Sequence, residues 1–210
     1  MTLPDPPAPS ELTGFPAVIM PANVPLARIH HNLRDPEYFS EDGSGRFDPP
    51  VGSTAGFGTC YLSTHPLGAF LETFGRIRPV LQRRVDERVL TEAFLPSESR
   101  LADMTDPAIL GRYGLTAEVG IGGDERTYAA TQRWAEALQA AGFGGVVYAA
   151  RHDPALLARS VALFGKPGVQ PTQLLVRPAT HIPEELLERA ATEYAIEVLP
   201  SVPVSGAHYY

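Results

Sequence analysis

Proline and glycine, 21 and 19 of 210 residues, interrupt this chain so often that long regular elements have little room. Each breaks the backbone in its own way: proline fixes φ and removes an amide donor, and glycine opens conformations that other residues avoid. Such punctuation disfavours a helical bundle and predicts short strands and helices joined by turns. Strand character falls at "VPLARIH" (24–30), "FGTCYLST" (57–64), Val146 to Ala149, "SVALFG" (160–165), "QLLVR" (173–177) and "YAIEVLP" (194–200). "VLTEAFLP" (89–96) and "LADMTDP" (101–107) read as a strand pair or as a strand and a turn, with Asp106-Pro107 opening a short helix.

A helix is expected from about Pro66, capped by Thr64, because Leu67, Phe70, Leu71 and Phe74 recur at helical spacing and form one apolar stripe. Tyr128, Thr131, Trp134, Ala135 and Leu138 follow the same period, with Trp134 read as core, and a last helix is expected from about Pro183 to Thr192. Strands and helices mix without βα alternation, which predicts an α+β fold around a mixed, mainly antiparallel sheet with flanking helices. The expected organisation is a flexible Pro-rich leader over 1–20 and one domain over 21–210.

Net charge is −7, and an acidic protein is a poor partner for a nucleic-acid backbone, although a local arginine cluster can still hold a small phosphorylated ligand. Cys60 is the only cysteine; it lies in the apolar run "GTCYL" and reads as a buried small side chain, with a nucleophile as the alternative. The amino terminus has neither a basic nor an apolar signal region, and no run reaches membrane-spanning length, so a cytoplasmic location and no membrane partner are expected. No multi-ligand metal cluster stands out, and no metal is expected.

The long stretch from Asn32 to Gly56 contains "GSGRFDPP", in which glycines and a double proline shape a loop around Arg46. An arginine in a turn is ordinarily just solvated, and Glu72, at the edge of the apolar stripe, could equally be a surface helix residue. "GIGG" (120–123), in a glycine-rich loop expected between Gly111 and Gly123, lacks the lysine and spacing of a phosphate loop and is set aside. His152-Asp153 alone is weak support for catalysis. Four polar residues in apolar or loop-shaped settings remain: Arg28, Arg46, Tyr61 and Glu72. Arginine forks suit pyrophosphate, a tyrosine ring can stack on a heterocycle, and a carboxylate can stabilise positive charge on a sugar.

The run "LARIHHNLRDPEYFSEDGSGRFDPPVGSTAGFGTCYLSTHPLGAFLET" resembles the opening half of the RES domain family, through the strand arginine (Arg28), the G-R-F loop (Arg46), the Y-L-S strand (Tyr61) and the A-x-x-E helix (Glu72). "GGVVYAARHDP" followed by "SVALF" looks like the family's second block. The resemblance implies an ADP-ribosyltransferase-like fold and the toxin half of a toxin–antitoxin pair that depletes NAD. It implies NAD as substrate, cleaved at the nicotinamide–ribose bond by a hydrolase or phosphorylase. Glu72, Arg46 and Tyr61 would be catalytic, and Arg28, Arg46, Tyr61 and Ser160 would bind NAD. Family members often carry serine where this chain has Ala150, and Ser160 is the nearest downstream hydroxyl. A mono-ADP-ribosyltransferase and a weakened nucleotide-binding module are the alternatives; a nuclease toxin is disfavoured by charge. A cognate antitoxin is the implied partner, and oligomeric state, a homo-oligomer included, stays open.

Overall fold

The protein is described by a computed structural model covering residues 3–121, 125–155 and 157–201. In chain order its elements are β1 (Ala17–Met20), β2 (Leu26–His31), β3 (Tyr38–Phe39), β4 (Gly58–Ser63), α1 (Pro66–Phe74), β5 (Val80–Leu81), α2 (Gln82–Asp86), β6 (Arg88–Phe94) and β7 (Ser99–Asp103). There follow α3 (Ala108–Tyr113), α4 (Glu118–Ile121), α5 (Glu125–Ala140), β8 (Gly145–Ala149), β9 (Arg159–Gly165), β10 (Gly168–Val169), β11 (Leu175–Val176), α6 (Glu184–Tyr194) and β12 (Val198–Leu199), with a 3-10 turn at Pro9–Leu12.

An eight-stranded sheet in the order β1-β7-β8-β9-β4-β2-β6-β11 organises the molecule, and only its β7–β8 pair is parallel. This is the expected α+β architecture with a mainly antiparallel sheet. The period-2 alternation of the strands sorts their side chains: Val146 and Tyr148 join the cluster around Trp134, whereas Val147 joins the cluster of Cys60, Leu62 and Val161. A third cluster places the α1 stripe against β2 and α6, and each fully buried large apolar side chain there contributes about 1.5–3 kcal/mol. Cys60 is fully buried, as its apolar run suggested.

One junction in the sheet differs from the rest. β2 pairs with β6 along all six of its residues and β4 pairs with β9 along all six of its own, yet β2 and β4 share a single paired position, Ala27↔Ser63. Beyond that rung the two strands part.

Several local expectations are corrected. The cap of α1 is His65, not Thr64: the His65 Nδ1 accepts the Leu67 amide at 3.1 Å, while the Thr64 hydroxyl bonds the Arg159 carbonyl. The segments 89–96 and 101–107 both hold strand, β6 as far as Phe94 and β7 as far as Asp103, but the two are not partners, because β6 sits between β2 and β11 while β7 sits between β1 and β8. Much of the stretch expected as a glycine-rich loop is helical, α3 ending at Tyr113 and α4 spanning Glu118–Ile121; residues 122 and 123 of "GIGG" lie outside the described residues. The expected flexible leader is packed from residue 3 onward. Leu12 and Phe15 are in the core, the Trp134 indole donates to the Pro4 carbonyl at 2.8 Å, Arg133 pairs with Asp5 at 2.6 Å, and β1 extends the sheet. Its prolines suit a chain that lies against a surface without ladder bonds, and its sparse apolar residues are the anchors. Among the described residues, no helix is long and apolar enough to cross a membrane.

Candidate active site

The parting of β2 from β4 leaves a cavity of about 310 Å³. Ala27, Arg28 and Ile29 line it from β2, Tyr61 and Leu62 from β4, and Ala69, Glu72 and Thr73 from α1; Arg76 follows that helix. Gly45 and Arg46 come from the long loop, Tyr128 from α5, and Tyr148 and Arg151 from the end of β8. Its size falls within the range of small-molecule sites, about 300–1,000 Å³.

The loop carrying Arg46 is built by hydrogen bonds. The Asp48 carboxylate accepts the Gly45 amide and the Tyr61 hydroxyl, each at 2.8 Å, and the Tyr61 oxygen accepts the Phe47 amide at 2.8 Å. From α5, Thr131 donates to the Arg46 carbonyl at 2.6 Å, and Gln132 donates to the Gly43 and Gly45 carbonyls at 2.8 and 2.9 Å. Glycine is required at position 45, since a Cβ there would stand 2.4 Å from the Tyr61 oxygen and 2.5 Å from Asp48 Oδ1. Burial pushes the Asp48 carboxyl up to about 6, against the opposing pull of its Gly45 and Tyr61 donors.

The Arg46 guanidinium that this loop presents is only 6% exposed, and its Nε and Nη1 have no hydrogen-bond partner among the described residues. It lies 5.8 Å from the centre of the Tyr128 ring and 5.7 Å from that of Tyr148. A buried cation with idle donors costs free energy unless something completes it.

Glu72 has an exposed side chain, so its carboxylate is open to the cavity, while Oε1 accepts the Arg151 amide at 3.0 Å. Crowding by protein on its inner side raises its pKa; the Arg151 amide and the charges of Arg46, Arg151 and Arg76 pull the other way without cancelling the rise. Beside it, burial and the neighbouring arginines, Arg151 first among them, hold His152 at about 4, so its imidazole is neutral at pH 7. Tyr148 is buried and its phenol is pushed far up by desolvation.

Of the residues singled out from sequence, Arg46, Tyr61 and Glu72 line this one cavity. Arg28 lines it too, but its guanidinium is engaged by the Pro36 carbonyl, the Tyr38 carbonyl at 3.1 Å and the Cys60 Sγ at 2.6 Å. Ser160 is fully buried, opposite Tyr148 and Ser63 in the ladders, and does not form the lining. Ala150 is buried behind the end of β8. Sequence reasoning missed Arg76, Tyr128, Tyr148 and Arg151 as lining residues. Arg76 had a usable signal, its spacing of four from Glu72 along a helix; Tyr148 and Arg151 had only their place at a strand end.

A cleft in a parted sheet, with guanidiniums gathered about one carboxylate and tyrosine rings between them, is the candidate site of this α+β protein. The chain belongs to the RES domain family, whose model matches residues 25–183. Its fold is similar to that of a chain in the crystal structure of the M. tuberculosis MbcT-MbcA toxin-antitoxin complex, with a TM-score of 0.63 and 17% identity over 88% of this chain and 96% of that one. Comparison with curated proteins gives no match.

Proposed function

We propose that the protein is a RES-type toxin that binds NAD in this cavity and cleaves its nicotinamide–ribose bond. The observation that carries the reading is the Arg46 guanidinium, buried with idle Nε and Nη1 donors at the wall of a cavity that also holds Glu72. A pyrophosphate would complete those donors, with Arg76 and Arg151 supplying further positive charge nearby. The ring of Tyr61, fixed at its hydroxyl by Asp48 and Phe47, offers a rigid face for the nicotinamide or its ribose.

Cleavage needs little help at the leaving group. The C1′–N bond breaks with its electron pair passing to the pyridinium nitrogen, so nicotinamide departs neutral and positive charge moves to the ribose. The Glu72 carboxylate stabilises that oxocarbenium-like centre, and an acceptor adds to C1′. With water the products are ADP-ribose, nicotinamide and a proton; with inorganic phosphate, or with a protein side chain, the acceptor oxygen or nitrogen takes the place of water. Glu72 works ionised, so activity falls as acidification takes the pH down through its raised pKa. The protein in the complex of similar fold is half of a toxin–antitoxin pair, and a cognate antitoxin is proposed for this chain on that likeness and on family membership.

The test is release of nicotinamide from NAD by purified protein, supplied with water, phosphate or cell extract as acceptor. Glu72→Ala and Arg46→Ala should each slow release about a hundredfold or more while remaining folded. Wild-type protein that releases none under any of the three conditions would overturn the proposal.

A further inference from the structure

The cavity is lined by the side chains of Tyr61, Tyr128 and Tyr148, and their hydrogen-bond accounts differ. The Tyr61 hydroxyl is spent, donating to Asp48 and accepting from the Phe47 amide. Tyr148 is 3% exposed and packs on the Phe47 ring at 5.0 Å between centroids. Tyr128 is half-buried, and its oxygen accepts a hydrogen bond from Arg76 Nη2 at 3.1 Å. Among the described residues the charges that act most on it are Arg46, from the loop before β4, Arg151, after β8, and Arg76, after α1; the uncharged Tyr148 of β8 is a further titratable neighbour, and the Glu72 carboxylate of α1 lines the same cavity. Guanidinium groups donate and never accept. The Tyr128 proton therefore has no taker among the cations around it, although its oxygen accepts from Arg76 and lies within reach of Arg46 and Arg151.

Resting on the NAD reading above, we propose that Tyr128 is a substrate-binding residue whose hydroxyl, oriented by Arg76, donates a hydrogen bond to a pyrophosphate oxygen of the bound dinucleotide. The surrounding guanidiniums draw the most anionic part of the ligand to this wall, and among them the phenol is the neutral donor that gives direction without adding charge. The same surroundings leave a signature. Burial alone would raise the Tyr128 pKa, but Arg46, Arg151 and Arg76 outweigh it and bring the phenol below its ordinary range. A phenolate cannot donate and repels phosphate, so affinity declines as pH rises through that lowered value.

ADP-ribose is the probe, because it keeps the pyrophosphate and lacks the scissile bond. Calorimetric titration of the full-length protein should show Tyr128→Phe binding ADP-ribose about tenfold more weakly than wild type at neutral pH, about 1.4 kcal/mol. Affinity of the wild type should fall on going to alkaline pH, and the Phe variant should lack that fall. Thermal melting should be nearly the same for both, since the hydroxyl is only half-buried and the Arg76 that donates to it is solvent-exposed. Equal affinities, or an alkaline fall retained in the Phe variant, would overturn the assignment, as would a wild type that fails to bind ADP-ribose. Binding without nicotinamide release sinks the cleavage reading alone, and release with equal affinities sinks the Tyr128 assignment alone.

Discussion

Replacing Arg46 with methionine should make the protein more stable and abolish its activity. The side chain is 6% exposed, with two guanidinium nitrogens idle, so the folded state carries a desolvation cost of several kcal/mol. Part of it is offset by the Tyr128 and Tyr148 rings at 5.8 and 5.7 Å, about 0.5–1 kcal/mol each, and by attraction to Glu72. Methionine fills similar volume without a charge, and the Arg46 carbonyl that Thr131 binds is untouched by the change. The expected net gain is about 1–3 kcal/mol, a melting temperature higher by roughly 2–10 °C for a chain of this length. The assay is a thermal melt of wild type and Arg46→Met with and without NAD, alongside nicotinamide release. Saturating NAD should raise the wild-type midpoint by mass action and leave the variant's where it was. A variant that melts at or below the wild-type temperature without ligand would show that the guanidinium is satisfied in the free protein and would remove the physical basis for an anion site.

Gly45→Ala should cost about 1–3 kcal/mol and most of the activity, because its Cβ would press into the Tyr61 oxygen and the Asp48 carboxylate, both pinned by hydrogen bonds; melting and nicotinamide release check it. Asp48 holds its proton to about 6 in the folded chain against an ordinary 3.8, so its contribution to stability is full below the lower value and is lost as pH rises to the upper one. Chemical denaturation across that window should show a decline in wild type that Asp48→Asn, with no proton to release, lacks. Arg28→Ala should lower stability by about 1–3 kcal/mol, since the Pro36 and Tyr38 carbonyls and the Cys60 thiol lose their donor, and calorimetry should find NAD affinity changed far less than by Arg46→Met.

What could be read in the sequence was what repeats or sits next to itself. The apolar stripe of α1 declares a helix and puts Glu72 at its margin, and the glycines and prolines around Arg46 declare a shaped loop. Convergence is another matter. Tyr148 looks like any aromatic in a buried strand and Arg151 like a turn residue, and nothing local reveals that α5, β8 and the loop meet over one cavity. Arg28 is the converse case: its residue type suits a phosphate and it lines the cavity, but the acceptors its guanidinium reaches are two carbonyls of the segment after β2 and a thiol. The Pro-rich start misleads because composition reports what a segment can do alone, whereas Leu12 and Phe15 are held in a cluster with Trp134 and Phe143, more than a hundred positions away.

The single rung between β2 and β4 makes the sheet two leaves on one spine. α1 with Glu72 packs mainly on β2 of one leaf and also reaches β4 and β9 of the other, which carries Tyr61, Tyr148 and Arg151. A molecule that touches both leaves acts as a stitch, drawing them to a common angle that the backbone alone enforces at one point. Filling the cleft and stiffening the protein are then the same event, and a partner that wedged the leaves apart would stop the proposed cleavage without touching a reacting atom.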